Sequence, residues 1–154
     1  IWDKYRNVLG IWMYKKLNKE PLLIYGDGQQ QRAFSYIDDC LRPLWRAGNK
    51  PWCSKEIINL GGTQEVSINN ACDALIKIFG GSQMVEHCEP RYEVKNAWST
   101  FDKSVELLKY EDNTTLSKGL EDMWEWVLQQ PERKRKQWTD FEVEEGLYAY
   151  WRAE

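Results

Sequence analysis

The chain has 154 residues, of which 42% are hydrophobic and 29% are charged, and this composition is typical of a globular protein with a real core. A formal net charge of −3 gives no electrostatic basis for binding nucleic acid, and no apolar run is long enough to span a bilayer. The cysteines have no paired short spacing and His87 is the only histidine, so we expect no zinc site. We expect instead four free thiols in a reducing cytoplasm, at Cys40, Cys53, Cys72 and Cys88.

The first eighteen residues have apolar or aromatic side chains at steps of three and four. This spacing predicts an amphipathic helix over residues 1–18 that ends before Pro21. The chain begins at Ile1 without an initiator methionine and directly with helical periodicity. We therefore interpret it as the second half of a larger protein.

A glycine-rich turn follows between two predicted strands, residues 22–25 and residues 34–37. Gly26 and Gly28 permit a sharp turn because glycine adopts positive φ without a Cβ clash. The turn is followed by Arg32, whose planar fork of donors suits a phosphate or a carboxylate. The alternative is a hairpin-like connection with a solvated arginine.

Asp38 and Asp39 come next and are typical N-cap residues, so we predict a helix over residues 40–47 that ends at Gly48 and Asn49. Adjacent aspartates point in different directions at a helix start, which favours capping over a shared catalytic proton. Residues 56–60 are predicted to form a compact apolar strand that stops at a double glycine. That double glycine lacks the third glycine of a dinucleotide fingerprint.

The second part of the chain is predicted to be mainly helical, and its two longest helices have apolar faces that include Ala71, Cys72 and Leu75 in the first and Leu120 and Val127 in the second. Ser67 is expected to cap a helix that runs to Phe79 and closes at two glycines. A strand-like connection over residues 83–88 carries His87, which we interpret as a packing residue. Thr100 is expected to cap a helix that runs to residue 108, and residues 116–129 form the last helix.

The C-terminal end is predicted to be a separate segment. Residues 1–130 are expected to form one domain and residues 131–154 an aromatic tail that begins at Pro131. So much exposed aromatic surface favours association. We therefore expect the tail to dock on the body or on a partner chain through Trp138, Phe141, Leu147, Tyr148, Tyr150 and Trp151.

Residues 22–39 read LLIYGDGQQQRAFSYIDD, and this stretch resembles the Gly-Asp-Gly-x-x-x-Arg-x-Phe-x-Tyr-x-Asp-Asp segment of extended short-chain dehydrogenases/reductases. These are the NAD-dependent nucleotide-sugar epimerases and dehydratases. The resemblance covers nearly the whole chain in order and is strongest at residues 22–39 and 56–62. It implies an α/β fold, namely the C-terminal part of an extended Rossmann-type epimerase, with a small mixed α/β substrate domain.

The resemblance also implies a ligand site. The arginine at the Arg32 position contacts the diphosphate of a UDP- or dTDP-sugar in this family, and the residues at Leu23, Ile24 and Tyr25 line the base. In the loop after residue 88, Arg91 resembles the arginine of the family's Pro-x-Arg motif, which reaches the same diphosphate from the opposite side.

An alternative for Arg91 is a salt bridge to Glu89 or Glu93. Many family members have Arg-x-Gly-Asp at this loop, whereas this chain has Arg-Tyr-Glu-Val. Two arginines on separate loops would clamp a doubly charged group and hold the sugar in position.

The catalytic elements of the family are not found in this sequence. Intact relatives bind NAD in a preceding Rossmann domain and use a tyrosine-lysine pair, but this chain has neither Gly-x-x-Gly-x-x-Gly nor Tyr-x-x-x-Lys. Whether the chain acts as an enzyme is therefore left open. We expect this chain to be the substrate-binding portion of a UDP-glucose 4-epimerase-like protein. The alternatives are a non-catalytic nucleotide-sugar binding module and a protein-interaction fragment, and a homodimer or a missing N-terminal half are the expected partners.

Overall fold

The structure, a computed structural model, describes residues 1–134 and 145–146. Short strands alternate with longer helices in this part of the chain, which confirms the predicted mixed α/β class. A single turn of 3₁₀ helix at Pro51–Cys53 follows the second helix. The helices are α1 (Val8–Leu17), α2 (Ile37–Asn49), α3 (Ile68–Phe79), α4 (Asp102–Leu108) and α5 (Leu116–Leu128), and the strands are β1 (Leu22–Tyr25), β2 (Gln31–Ala33), β3 (Glu65–Ser67), β4 (Val85–Cys88) and β5 (Asn96–Ala97).

The strands form two small sheets. β1 and β4 are parallel, and their register places Leu22 opposite Val85 and Tyr25 opposite Cys88. β2 lies in the middle of the second sheet, antiparallel to β3 and parallel to β5, with Arg32 opposite both Val66 and Ala97. The glycine-rich turn lies between β1 of the first sheet and β2 of the second, so it connects the two sheets.

The hydrophobic core lies between α1, β1, α3 and α5. Trp12 and Met13 of α1 are fully buried, and the Trp12 indole Nε1 donates a 2.9 Å hydrogen bond to the Leu23 carbonyl oxygen. A buried indole N–H therefore has its partner and fixes α1 against β1. The predicted apolar faces of α3 and α5 are confirmed, since the buried residues include Ala71, Cys72, Leu75, Leu120 and Val127.

Local hydrogen bonds determine where the helices start. At the N-terminus the observed start differs from the predicted one. The first helix begins at Val8 rather than at residue 1, because the Asp3 carboxylate accepts the backbone N–H groups of Tyr5 and Arg6 and holds a turn. Asn7 then caps the helix in the left-handed conformation, with φ of 64°. The predicted caps of α3 are confirmed: the Ser67 side chain accepts from the Asn70 N–H, and Gly80 ends the helix.

The predicted strand over residues 34–37 is wrong. The ladder hydrogen bonds are made by residues 31–33, and the chain then leads directly into α2, which spans Ile37–Asn49 rather than residues 40–47. Tyr36 occupies the N-cap position without a side-chain cap bond, so the prediction that Asp38 and Asp39 cap the helix is also wrong. Both lie in the first turn, where negative charge is favourable, and Asp39 accepts the Thr114 N–H.

The prediction of a strand over residues 56–60 is wrong as well, since these residues have no regular secondary structure. A strand needs a neighbour for its ladder, and none of the described strands pairs with this segment. Ile57 is 87% exposed. The cap predicted at Thr100 is also wrong, because α4 begins at Asp102 with Phe101 in the N-cap position.

The proposed boundary at residue 130 and the aromatic tail concern a part of the chain that is largely outside the described residues. All six of the tail's aromatic and apolar side chains named above belong to that part. Among the described helices, none is long and apolar enough to cross a membrane.

Candidate functional site

The site begins at the carboxyl ends of β1 and β4, which are adjacent because the two strands are parallel. The Gly26 N–H donates to the Cys88 carbonyl oxygen at 2.9 Å, so the chain turns immediately after the last strand pair. Gly26 and Gly28 have φ of 76° and 71°, which confirms the predicted use of glycine in this turn. A Cβ on Gly28 would lie 1.9 Å from the Asn69 amide oxygen, so the turn packs tightly on the start of α3.

Arg91 stacks on Tyr25 at this end of the sheet. The Arg91 guanidinium carbon lies 3.1 Å from the centroid of the Tyr25 ring. Together with Leu23, these two side chains line a cavity of about 420 Å³ whose other wall is α1 and the turn before it. The stacked ring fixes the plane of the guanidinium group, which is the geometry needed to present two donors to one anionic group.

Leu23, Ile24 and Tyr25 do not act together, because successive residues of a strand face opposite sides. Leu22 and Ile24 are 0% and 2% exposed and belong to the core, whereas Leu23 and Tyr25 line the cavity. Ile24 therefore faces away from the cavity that Leu23 and Tyr25 line.

Arg32 lies on β2 and faces the loop that follows β4. One of its terminal nitrogens is 2.7 Å from the Glu93 carboxylate, and the other donates to the Gln31 carbonyl oxygen at 2.7 Å. The second Glu93 oxygen accepts from the Gln30 amide nitrogen at 3.2 Å, which in turn donates to the Tyr25 carbonyl oxygen at 3.0 Å.

A continuous polar path of hydrogen bonds thus runs from the Arg32 guanidinium through Glu93 and Gln30 to the backbone of Tyr25, the residue on which Arg91 stacks. The two arginines named by the sequence lie at the two ends of this path. Glu93, which the sequence offered as one salt-bridge partner for Arg91, pairs with Arg32. Sequence spacing gives no signal for this pair, because its members are 61 residues apart.

Gln30 was not among the predicted site residues, and His87 was predicted to be a packing residue. His87 is exposed rather than packed in the core, and its Nδ1 lies 2.8 Å from the Gly26 carbonyl oxygen. A carbonyl oxygen only accepts, so Nδ1 carries the proton in this contact. His87 therefore supports the glycine turn and does not reach the arginines through this bond.

A second cavity, of about 430 Å³, lies between the segment that leads into α2 and the buried side of α5. Its lining is largely apolar and includes Phe34, Ile37 and Met123. Burial and the nearby Asp122 carboxylate raise the pKa of the Tyr36 hydroxyl above its ordinary value. Residue spacing gives no signal for this cavity, since the segments that form it are about 80 residues apart.

The double glycine is a packing feature, and the described residues contain no cluster of metal ligands. A Cβ on Gly62 would lie 2.2 Å from the Phe34 carbonyl oxygen, so this glycine is needed for contact between backbones and does not cradle a pyrophosphate. Across residues 1–134 and 145–146, no three His, Cys, Asp or Glu side chains are grouped to hold a metal ion. The four cysteines are free thiols.

The fold has close counterparts among solved structures. The crystal structure of UDP-glucuronic acid 4-epimerase from Bacillus cereus in complex with UDP-glucuronic acid and NAD matches with a TM-score of 0.74 and 34% identity. The match covers 80% of this chain and 40% of that one. The described α/β fold is thus that of part of an extended Rossmann-type epimerase.

Sequence comparison agrees. The NAD dependent epimerase/dehydratase family profile matches residues 3–61. The Bacillus subtilis (strain 168) protein Uncharacterized UDP-glucose epimerase YtcB is 35% identical over 106 residues, which are 68% of this chain and 33% of that protein. The UDP-glucuronate 4-epimerase of Thermodesulfobacterium geofontis is 35% identical over 117 residues, which are 75% of this chain and 35% of that protein.

The chain belongs to the NAD-dependent epimerase/dehydratase family. It spans only about a third of the length of these curated relatives.

Proposed function

We propose that this chain is the substrate-binding portion of an NAD-dependent nucleotide-sugar epimerase/dehydratase. The enzyme resembles UDP-glucose 4-epimerases, and this portion binds the diphosphate of a UDP-sugar. The observation that carries the proposal is the polar path that joins Arg32 to Tyr25, with Arg91 stacked on the Tyr25 ring at the edge of a 420 Å³ cavity. Two guanidinium groups at the two ends of one path suit the two phosphates of a nucleotide diphosphate.

The cavity offers complementary surface for the rest of the ligand. Leu23 and the Tyr25 ring provide an apolar wall for the base, and the charged Lys15 lies on the rim. Binding energy from the diphosphate would hold the sugar in a fixed orientation, which is the way remote contacts assist a reaction. The relatives support this assignment, since the Bacillus cereus protein was crystallised with UDP-glucuronic acid and NAD.

In this proposal, NAD and the acid-base residues belong to another part of the enzyme. The bound dinucleotide would supply hydride transfer, and the residues of this chain would bind and orient the sugar nucleotide. Residues 1–130 would form the binding unit and residues 131–154 a docking tail, in a cytoplasmic protein whose thiols stay reduced.

An exposed apolar surface supports the presence of a partner. α2 carries exposed apolar side chains at spacings of three and four, and Ile57, in the segment after the 3₁₀ turn, is 87% exposed. Exposed apolar patches of this kind mark interaction sites. We propose that the NAD-binding portion of the enzyme covers them, with a homodimer as the alternative. The α2 residues are Ile37, Leu41, Leu44 and Trp45.

Titration calorimetry of the chain with UDP tests the ligand assignment. We expect saturable binding that Arg32→Ala and Arg91→Ala each weaken by about tenfold or more, because each removes a charge-assisted contact. Arg42→Ala, on the exposed side of α2, is the matched control and should bind like the parent. dTDP in place of UDP shows whether the site distinguishes the two nucleosides. Equal UDP binding by the parent and both site variants would contradict the proposal.

A non-catalytic binding module is the second candidate, favoured by Gly62, which packs against the Phe34 backbone and not against a ligand. Mixing the chain with the separately expressed NAD-binding portion of a related epimerase distinguishes the two. Turnover of UDP-glucose in the mixture, lost on Trp45→Lys, supports the enzyme portion. Unchanged UDP binding without turnover supports the module.

A further inference from the structure

Glu93 occupies the anion-binding side of Arg32. Its Oε2 atom lies 2.7 Å from an Arg32 terminal nitrogen, and its Oε1 atom accepts from the Gln30 amide 3.2 Å away. The carboxylate is thus held by one charged and one neutral donor, in the way that a phosphate oxygen pair would be held. Arg32 is 25% exposed and Glu93 is 38% exposed, so the pair lies at the surface of the site rather than in the core.

The segment that carries Glu93 permits the carboxylate to leave. Residues 89–95 have no regular secondary structure, and the side chains on either side, Tyr92 and Val94, are 100% and 64% exposed. Rotation of the Glu93 side chain into solvent therefore breaks no core packing. The ion pair itself is weak, because a partly exposed pair gains little free energy relative to the two side chains solvated separately.

We propose that Glu93 is a specificity-determining residue that acts as an internal anion on Arg32 and must be displaced by the ligand's phosphate. This inference rests on the proposed function, since it assumes that Arg32 binds the diphosphate. A diphosphate carries more charge than the carboxylate and also reaches Arg91, so it displaces Glu93. A ligand without phosphate does not compete for Arg32 and gains nothing from removal of the carboxylate.

The test is calorimetric titration of the whole 154-residue chain and its Glu93→Gln variant with UDP and with uridine. Glutamine has the same shape and can still bond to Gln30 but has no charge to offer Arg32. We expect E93Q to bind UDP about two- to fivefold more tightly, the worth of a partly exposed ion pair, with uridine binding unchanged. Glu86→Gln, an exposed position on β4, removes the same charge and should leave UDP affinity within twofold of the parent.

The double variant R32A/E93Q shows whether Glu93 acts through Arg32. The gain from E93Q should disappear when Arg32 is absent. If R32A weakens UDP binding but E93Q does not strengthen it, or strengthens it equally without Arg32, the inference about Glu93 is overturned and the proposed function stands. If UDP binds neither the parent nor E93Q, or if R32A binds it like the parent, the proposed function and this inference both fall.

Discussion

Arg91 and Tyr25 form one wall of the cavity, with the guanidinium carbon 3.1 Å from the ring centroid. Tyr25 is the last residue of β1, and Arg91 lies in the loop after the parallel strand β4. The pairing of Tyr25 with Cys88 places that loop over the ring. A planar guanidinium group on an aromatic face is oriented before a ligand arrives, so part of the entropy cost of binding is already met by the fold.

Arg91→Lys should weaken UDP binding by about two- to fivefold, although the positive charge is kept. Lysine presents a point charge without the planar fork, so it loses both the stacking and the paired donors. Calorimetry measures the effect. Tyr25→Phe retains the ring and should bind within twofold of the parent, whereas Tyr25→Leu should match the loss seen for the lysine variant. Equal affinity for all three variants would show that stacking plays no part.

Gly62→Ala should lower the free energy of unfolding by about 2–3 kcal/mol, measured by urea denaturation. The added methyl would lie 2.2 Å from the Phe34 carbonyl oxygen, and backbone on both sides must shift to accommodate it. Gly48→Ala is the matched control. No atom lies within 4 Å of a Cβ at that position in α2, so alanine should leave stability unchanged or raise it by up to about 1 kcal/mol. Equal stability of the two variants would exclude the contact.

Asp112→Ala should lower the free energy of unfolding by about 2 kcal/mol, because hydrogen bonds to a charged group are among the stronger ones. One oxygen of the Asp112 carboxylate accepts both the Thr63 N–H at 2.7 Å and the Thr63 hydroxyl at 2.8 Å. These bonds join the loop after α4 to the segment that follows the double glycine. Asp73→Ala, on the exposed face of α3, should change stability by less than about 0.5 kcal/mol in the same urea titration.

Stability should fall with rising pH above about pH 9, in part because of Cys72. Burial against the core, together with the nearby Asp73 carboxylate, raises the pKa of this thiol from 9.0 to about 11. The unfolded chain therefore loses the thiol proton near pH 9 while the folded chain keeps it until about pH 11, so rising pH favours unfolding between these values. The slope approaches about 1.4 kcal/mol per pH unit.

Urea denaturation at pH 8, 9 and 10 measures this dependence, and Cys72→Ala should show a shallower decline than the parent over the same interval. The alanine variant will be less stable at every pH because it leaves a small cavity. Only the difference in slope therefore reports on the thiol. Parallel pH profiles for the two proteins would show that Cys72 does not contribute.

Local sequence signals were sufficient where residue type or spacing alone fixes the outcome. The glycine turn needs residues that adopt positive φ, the Ser67 cap needs one bond to a residue three positions away, and the apolar faces of α3 and α5 follow from residue spacing; all were predicted. The predictions failed where a distant segment decides the outcome. β2 lies at residues 31–33 because β3 and β5 bond there, and Asp39 bonds to Thr114 instead of capping its own helix.

By itself the sequence determined most of the helices, the turn at Gly26 and Arg32 as a candidate anion ligand, because these follow from periodicity, backbone freedom and side-chain chemistry. The family resemblance implied the α/β class and the role of Arg91. Only the tertiary structure decided that Ile24 faces the core, that Arg91 stacks on Tyr25 and that Glu93 holds Arg32. These relationships join residues more than 60 positions apart or depend on strand orientation. Their geometry exists only once the parallel pairing of β1 and β4 has brought the two loops together.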